Sequence, residues 1–131
     1  MNITNKRSWV HKARKEGRVL GDVDQKFKLI EILREEFGIH GLTDEVVYDM
    51  EGNFRRPDVF SRAYKIAFEL DGEYHGSGDE VSMSEQTRER NAFYNRQGIQ
   101  CIMINKEMTE GYDRDLVIEC LRLGGLKRIG N

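Results

Sequence analysis

The segment from Tyr64 to Asp71 constrains the fold most, because its side chains alternate with the two-residue period of a β-strand. One side of that strand carries Tyr64, Ile66 and Phe68, and the other carries Lys65, Ala67 and Glu69. Two further strands are predicted before it, at about Glu45–Met50 and Phe54–Phe60, with turns at 51–53 and 61–63. Because the turns are tight, these three strands are expected to pair antiparallel.

Helical periodicity brackets the strands. Between Gln25 and Phe37 apolar residues recur at spacings of three and four, which predicts a helix with Asp22 or Asp24 as its cap and Gly38 as its stop. A second helix is predicted from Glu85 to Gln97, capped by Ser84 and closed by Gly98, and a third from about Arg114 to Leu123, which ends at Gly124-Gly125.

The apolar run Gln100–Ile104 is too short for a helix and predicts a buried strand. Since a helix precedes it, this strand is expected to lie parallel to its neighbour. The predicted order is helix, three strands, helix, strand and helix. The fold class is therefore α/β, a mixed sheet flanked by helices.

Length and composition fit one globular domain. The 131 residues are 38% hydrophobic and 34% charged, and we expect a basic segment at 1–21 followed by a single domain at 22–131. No apolar run reaches the length of a membrane span or of a signal-peptide core, so no membrane association and a cytoplasmic location are expected. Cys101 and Cys120 are interpreted as packing residues rather than as a disulfide or zinc site.

Charge is distributed unevenly along the chain. The net charge is −2, but residues 1–34 carry nine basic and four acidic residues, 35–85 carry four and thirteen, and 86–131 carry eight and six. An acidic middle between basic flanks is typical of a metal site within a phosphate-binding surface. It is equally compatible with ordinary variation along a globular chain.

Three acidic residues form the candidate site. Glu69 and Asp71 lie two apart on the third predicted strand and therefore face the same side. Asp58, which follows the only proline, lies beside them if the register of the second strand permits. Clustered carboxylates need a cation, and hard oxygen ligands favour Mg²⁺ or Mn²⁺, which can activate water and stabilise a phosphate undergoing displacement. His75 is a candidate base or proton shuttle.

Each of these motifs is weak alone. Pro-Asp is common in turns, and the arginines after the loop, Arg88 and Arg90, fit a solvated helix face as well as a phosphate contact. Greater specificity comes from Pro57-Asp58 followed at a short distance by Glu69-Leu-Asp71-Gly72, on two adjacent predicted strands with helices on both sides.

In this order the elements resemble the core of the PD-(D/E)XK (restriction-endonuclease-like) nuclease superfamily. "RRPDV" at 55–59 resembles its first motif and "IAFELDGEYHG" at 66–76 its second. The stretch from Arg88 to Gly98 followed by "IQCIMIN" is similar to the branch of very-short-patch-repair endonucleases and other small phage and bacterial nucleases, in which an E-x-D-G-x-x-H signature commonly occurs. The resemblance covers roughly residues 25–108.

The resemblance implies a Mg²⁺- or Mn²⁺-dependent DNA endonuclease. Asp58 matches the central metal ligand, and Glu69 matches the second, with the Leu70 carbonyl as a further candidate. The superfamily often adds a glutamate from the first helix, for which Glu35 is preferred over Glu31.

One departure from the superfamily pattern concerns Asp71, which stands where a lysine is usual. An aspartate cannot supply the positive charge that would stabilise the transition state. Three alternatives follow: His75 or Arg88 substitutes for the lysine, Asp71 binds an additional ion, or the chain keeps the fold without activity.

DNA contact is predicted mainly for the N-terminal segment, since each basic residue that neutralises a phosphate adds affinity. Its candidates are Lys6, Arg7, Lys12, Arg14 and Lys15, with Arg88 and Arg90 from the later helix. No helix-turn-helix or zinc motif is present to recognise bases. Selectivity for branched, nicked or mismatched DNA is therefore the working hypothesis, and a homodimer is expected for junction resolution.

Two other interpretations remain at the level of sequence. The chain could be a non-catalytic nucleic-acid-binding or interaction domain that keeps the nuclease fold. It could also be an unrelated α/β domain, in which case Asp58, Glu69 and Asp71 would not meet in space.

Overall fold

A computed structural model describes residues 20–71, 85–105 and 114–129 of the chain. The elements in chain order are α1 (Leu20–Phe37), β1 (Val47–Tyr48), β2 (Phe54–Arg55), β3 (Val59–Ser61), β4 (Ile66–Asp71), α2 (Glu85–Arg96), β5 (Gln100–Asn105) and α3 (Arg114–Leu123). The described part of the chain is a mixed α/β fold with three helices, a two-stranded sheet and a three-stranded sheet.

Helix α1 begins earlier than its apolar periodicity predicted. It starts at Leu20, so Asp22 and Asp24 lie within the helix and the prediction that one of them caps it is wrong. Its end is as predicted: Gly38 follows Phe37 with a φ of 67°, a left-handed conformation that glycine adopts without steric cost.

The predicted second strand is divided in two. β2 ends at Arg55, β3 begins at Val59, and Pro57 lies in the break. Proline has no N–H to donate and restricts the residue before it, so a ladder cannot run through it undisturbed. β2 pairs with β1 in a separate antiparallel hairpin. That hairpin is supported by contact between Tyr48 and Phe54, whose ring centroids lie 5.8 Å apart.

The main sheet has the strand order β3-β4-β5. β3 pairs antiparallel with β4, and β5 pairs parallel with β4, which confirms both predicted directions. The predicted third strand began at Tyr64, but the observed β4 begins at Ile66, because Tyr64 and Lys65 belong to the turn after β3. Lys65 has a φ of 55°, and its carbonyl accepts a hydrogen bond from the Gln100 N–H at 2.9 Å.

The alternation of β4 places different cores on the two faces of the sheet. One face carries Ile66 and Phe68 and packs against α1 and α3. The opposite face carries Ala67 and packs against Phe93 and Tyr94 of α2. Glu69 shares this second face by its position in the strand. Both faces of the strand are therefore covered, and a carboxylate at position 69 is enclosed between the sheet and α2.

Helix α2 ends as predicted at Gly98, which has a φ of 74°. The N–H groups of Gly98 and Ile99 donate to the carbonyls of Asn95 and Tyr94, both at 3.0 Å, which is the Schellman pattern. Within the described residues, no helix is long and apolar enough to span a membrane.

Candidate metal-binding site

Asp58, which directly precedes β3, and Glu69 of β4 meet at the end of the β3–β4 pair that lies away from its turn. The register pairs Val59 with Phe68, so one further step places Asp58 opposite Glu69. Asp58 is fixed there because its Oδ2 accepts a hydrogen bond from the backbone N–H of Leu70 at 2.9 Å. The break in the strand at Pro57 leaves the Asp58 side chain able to reach this backbone donor. The register that the sequence left open is therefore the one that brings these two carboxyl groups together.

Tyr94 holds the other carboxylate. Its hydroxyl donates a hydrogen bond of 2.7 Å to Oε1 of Glu69. Both side chains are buried: Glu69 is 6% exposed and Tyr94 is fully enclosed. Since χ rotation of Glu69 would break this bond inside a packed core, Tyr94 fixes the direction in which the carboxylate points.

Two basic side chains approach the carboxyl pair from different helices. Nζ of Lys26, on α1, lies 3.5 Å from Oδ1 of Asp58, and its side chain is only 11% exposed. On α2, the guanidinium of Arg90 lies 3.9 Å from Oε2 of Glu69. Each carboxylate thus has one oxygen held by a short hydrogen bond from an uncharged donor and one oxygen facing a cation at a longer distance.

The electrostatics of the pair are dominated by burial. Burial, and next the negative charge of Asp58, raise the pKa of Glu69 to about 8, against the opposing effects of the Tyr94 hydrogen bond and Arg90. Burial and the neighbouring Glu69 also raise the pKa of the Tyr94 hydroxyl, which therefore remains protonated and acts as a donor. The Glu69 carboxylate is therefore held where its negative charge is costly, because it is buried next to Asp58.

The donor set fits a hard divalent cation. A divalent ion would offset both the burial cost of Glu69 and its repulsion by Asp58, and carboxylate oxygens are the ligands that Mg²⁺ and Mn²⁺ prefer. Oδ1 of Asp58 and Oε2 of Glu69 are the oxygens that would hold it, since the other two are engaged by Leu70 and Tyr94. Among residues 20–71, 85–105 and 114–129 no group of three or more metal-ligating side chains occurs.

Several predicted residues fall outside the described part of the chain. β4 runs to Asp71, two residues beyond Glu69 on the same strand, but the surroundings of the Asp71 side chain are not described. His75 and the N-terminal basic residues Lys6, Arg7, Lys12, Arg14 and Lys15 also lie outside the described residues. Their proposed roles therefore remain predictions.

Glu35 is not brought to the carboxyl pair. It forms an ion pair of 2.8 Å with Arg114 of α3 and is 64% exposed. It lies nine residues beyond Lys26 on α1, which is roughly 13 Å along the helix axis. Glu31, the other candidate, is exposed and lines a separate surface cavity of about 310 Å³ with Arg34, Glu35 and His40. The first helix contributes a lysine to the pair instead of a glutamate.

The two arginines of α2 differ in position. Arg90 reaches Glu69, whereas Arg88 is exposed. Successive helical residues point about 100° apart, so residues two apart lie on different sides of the helix. Arg90 and Tyr94 are four apart, share one side, and both contact Glu69.

Lys26 and Tyr94 were missed as site residues in the sequence, although each had a signal. Lys26 lies three, four and seven residues before Leu29, Ile30 and Leu33, which are at most 1% exposed. A lysine on the buried stripe of a helix needs a partner, and that requirement points to a nearby carboxylate. Tyr94 lies four residues after Arg90 and therefore on the same side of α2, but only the packing of α2 on the sheet shows that this side faces Glu69.

Comparison with protein-family models, with curated proteins and with solved structures found no significant match to this chain. The motif resemblance to the PD-(D/E)XK superfamily therefore stands on the residues quoted above, and it stays a prediction.

Proposed function

We propose that this chain is a divalent-metal-dependent DNA endonuclease of the PD-(D/E)XK type, with Asp58 and Glu69 as its metal ligands. The observation that carries the proposal is the meeting of these two carboxylates across β3 and β4. The sequence motifs that singled them out are separated by ten residues. In the structure, one oxygen of Asp58 accepts a hydrogen bond from the Leu70 N–H, and one oxygen of Glu69 accepts a hydrogen bond from the Tyr94 hydroxyl. In an unrelated α/β domain with surface acids, Glu69 would not be expected to lie buried beside a second carboxylate.

The arrangement assigns distinct tasks to the side chains. Asp58 and Glu69 would hold the ion, which supplies an activated water and neutralises charge on the phosphate. The hydrogen bonds from Tyr94 and from the Leu70 N–H engage one oxygen of Glu69 and of Asp58, and the other oxygen of each would be the one available to an ion. Arg90 and Lys26 provide positive charge beside the two carboxylates, and this charge would stabilise the anionic oxygens of a bound phosphodiester.

Lys26 is a new candidate for the positive charge that a lysine at position 71 usually supplies in the superfamily. Asp71 replaces the usual lysine, and the alternatives from the sequence were His75, Arg88 or an additional ion. Arg88 is exposed, whereas Lys26 lies 3.5 Å from Asp58 and is nearly enclosed. Lys26 is therefore the described side chain best placed to provide this charge.

The substrate proposed is duplex DNA with a structural irregularity, such as a nick, branch or mismatch. Asp58, Glu69 and Arg90 provide phosphate chemistry without any group that would distinguish bases. Contacts that position the DNA are assigned to the N-terminal basic segment, and a homodimer is expected if two strands of a junction are cut.

The proposal is tested with a labelled DNA panel of linear, nicked, branched and single-stranded substrates, each with Mg²⁺, Mn²⁺ or EDTA. We expect metal-dependent cleavage that falls at least about 100-fold in Asp58→Asn and in Glu69→Gln, since each change removes a ligand charge. Asp49→Asn, which alters a hairpin carboxylate bonded to Asn53, is the matched control and should cleave like the wild type. Wild-type rates in both site variants would refute the assignment.

A second candidate function rests on the same four side chains. Lys26 and Arg90 already give both carboxylates a cationic neighbour without any metal ion, as in a structural ion-pair network. On that basis the chain would bind nucleic acid or a partner without cleaving. DNA binding with no cleavage under every metal condition is the result that selects this function.

A further inference from the structure

Lys26 occupies an unusual position for a lysine. Its side chain is 11% exposed, and it lies on the side of α1 that carries the enclosed residues Leu29, Ile30 and Leu33. An ammonium group loses hydration in such a place, and the neighbouring carboxylate of Asp58 offsets part of that loss. Because α1 is anchored in the core on the same side, the backbone of Lys26 is held close to Asp58.

Two basic side chains already face the carboxyl pair before any ion binds. Lys26 and Arg90 carry two positive charges, and Asp58 and Glu69 carry two negative charges when ionised. A divalent ion on the same carboxylates brings an excess of two positive charges. Lys26, at 3.5 Å from the Asp58 oxygen that would ligate the ion, opposes its binding. The same positive charge attracts an anionic phosphate oxygen.

We propose that Lys26 is the cation of this site that weakens divalent-metal binding to the free protein and strengthens binding of the DNA phosphate. This inference rests on the proposed nuclease function. In the metal-free protein, Lys26 pairs with Asp58. When DNA enters the site, the negative charge of its phosphate compensates for the positive charge of the metal ion and of Lys26.

Two binding measurements test the inference without relying on cleavage. Mn²⁺ binding to the free protein is measured by calorimetry, and binding of a labelled nicked duplex is measured in EDTA over a range of salt concentrations. Lys26→Met keeps the aliphatic stem and removes the charge. We expect it to bind Mn²⁺ about fivefold or more tightly. It should bind DNA about threefold or more weakly, with a salt slope smaller by about one.

Opposite changes in the Mn²⁺ and DNA affinities distinguish this role, because loss of a merely structural residue would weaken the binding of both ligands. Lys28→Met is the matched control, since Lys28 lies two residues along α1 and therefore on a different side of the helix. It should leave the Mn²⁺ affinity unchanged. Lys26→Arg should keep both affinities near the wild-type values. If Lys26→Met fails to fold, Lys26→Gln, which can still donate a hydrogen bond to Asp58, replaces it.

The outcomes separate the inference from the proposed function. Wild-type Mn²⁺ binding that Lys26→Met leaves unchanged or weakens would overturn the role of Lys26 while the metal site stands. Tighter Mn²⁺ binding without a loss of DNA affinity would overturn the phosphate half of the inference. Absence of Mn²⁺ binding in the wild type and in every variant would refute the metal site itself, and with it both proposals.

Discussion

In the part of the chain that the structure describes, two clusters each combine two carboxylates with two basic side chains, and they differ in burial. The site cluster consists of Lys26, Asp58, Glu69 and Arg90. The surface cluster consists of Glu35, Glu36, Arg114 and Arg128, where α1 meets α3 and the C-terminal segment. Both have a formal charge of zero, so composition alone does not distinguish them.

The clusters shift the pKa of a carboxylate in opposite directions. The hydrogen bond from Arg128 to Glu36, 2.6 Å long, is the main cause that lowers the pKa of Glu36 below its usual value. In the site cluster burial prevails, and the pKa of Glu69 rises to about 8. Arg90 lies 3.9 Å from Glu69, too far for a hydrogen bond, so it offsets the burial only in part. Close pairing stabilises a charged group, whereas burial with looser pairing leaves it reactive toward protons and cations.

The largest effect expected from this difference is on the pH dependence of stability. Glu69 has a folded pKa of about 8 against an ordinary value of 4.5. Its contribution to stability is therefore fully present below pH 4.5 and is lost as the pH rises through 8. We expect the melting temperature in EDTA to fall by roughly 5–10 °C from pH 5 to pH 9. Circular dichroism over that pH range measures it.

Two variants show whether Glu69 is responsible for that slope. Glu69→Gln is neutral at every pH and can still accept the Tyr94 hydrogen bond, so its melting temperature should vary much less between pH 5 and 9. Glu36→Gln is the control and should keep the wild-type slope, because the lowered pKa of Glu36 places its loss of stability at acid pH. A slope that survives in Glu69→Gln would contradict the burial argument.

A smaller effect is expected from the hydroxyl of Tyr94. Tyr94→Phe removes the hydrogen bond to Oε1 of Glu69, which favours the ionised carboxylate, so the pKa of Glu69 should rise further. We expect a loss of about 1–2 kcal/mol in the free energy of Mn²⁺ binding at pH 7. Calorimetric titration measures it, and the deficit should shrink at higher pH as Glu69 ionises.

Tyr64→Phe is the matched control for that titration. Tyr64 is 61% exposed in the turn before β4, so its hydroxyl has no comparable role and the Mn²⁺ affinity should not change. An equal loss of affinity in both variants, or none in Tyr94→Phe, would show that Tyr94 does not position Glu69.

The smallest effect is expected in the surface cluster. Arg128→Met removes the closest partner of Glu36, but ion pairs near the surface contribute little because solvent and salt screen them. We expect the melting temperature at pH 7 to fall by at most a few degrees, with a smaller fall at high salt. Lys127→Met, a change at the exposed neighbouring residue, is the control. A large, salt-independent loss would mean that the two clusters do not differ as described.

Much of the fold could be predicted from local patterns. The helix ends at Gly38 and Gly98, the parallel β4–β5 pair and the antiparallel β3–β4 pair all followed from periodicity and turn chemistry. The start of α1 and the division of the second strand at Pro57 did not. Helix starts depend on packing as well as on capping residues, and a proline only sometimes separates one strand into two sheets.

The sequence by itself determined which carboxylates carry the chemistry that we propose. The two-residue period of β4 put Glu69 and Asp71 on one side, and the Pro57-Asp58 motif named the acid on the neighbouring strand. The tertiary structure decided the register that joins Asp58 to Glu69, the burial that raises the pKa of Glu69, and the approach of Lys26 and Tyr94 from two helices. These contacts link residues far apart in the chain, and a periodic pattern records only which way a side chain faces on its own element.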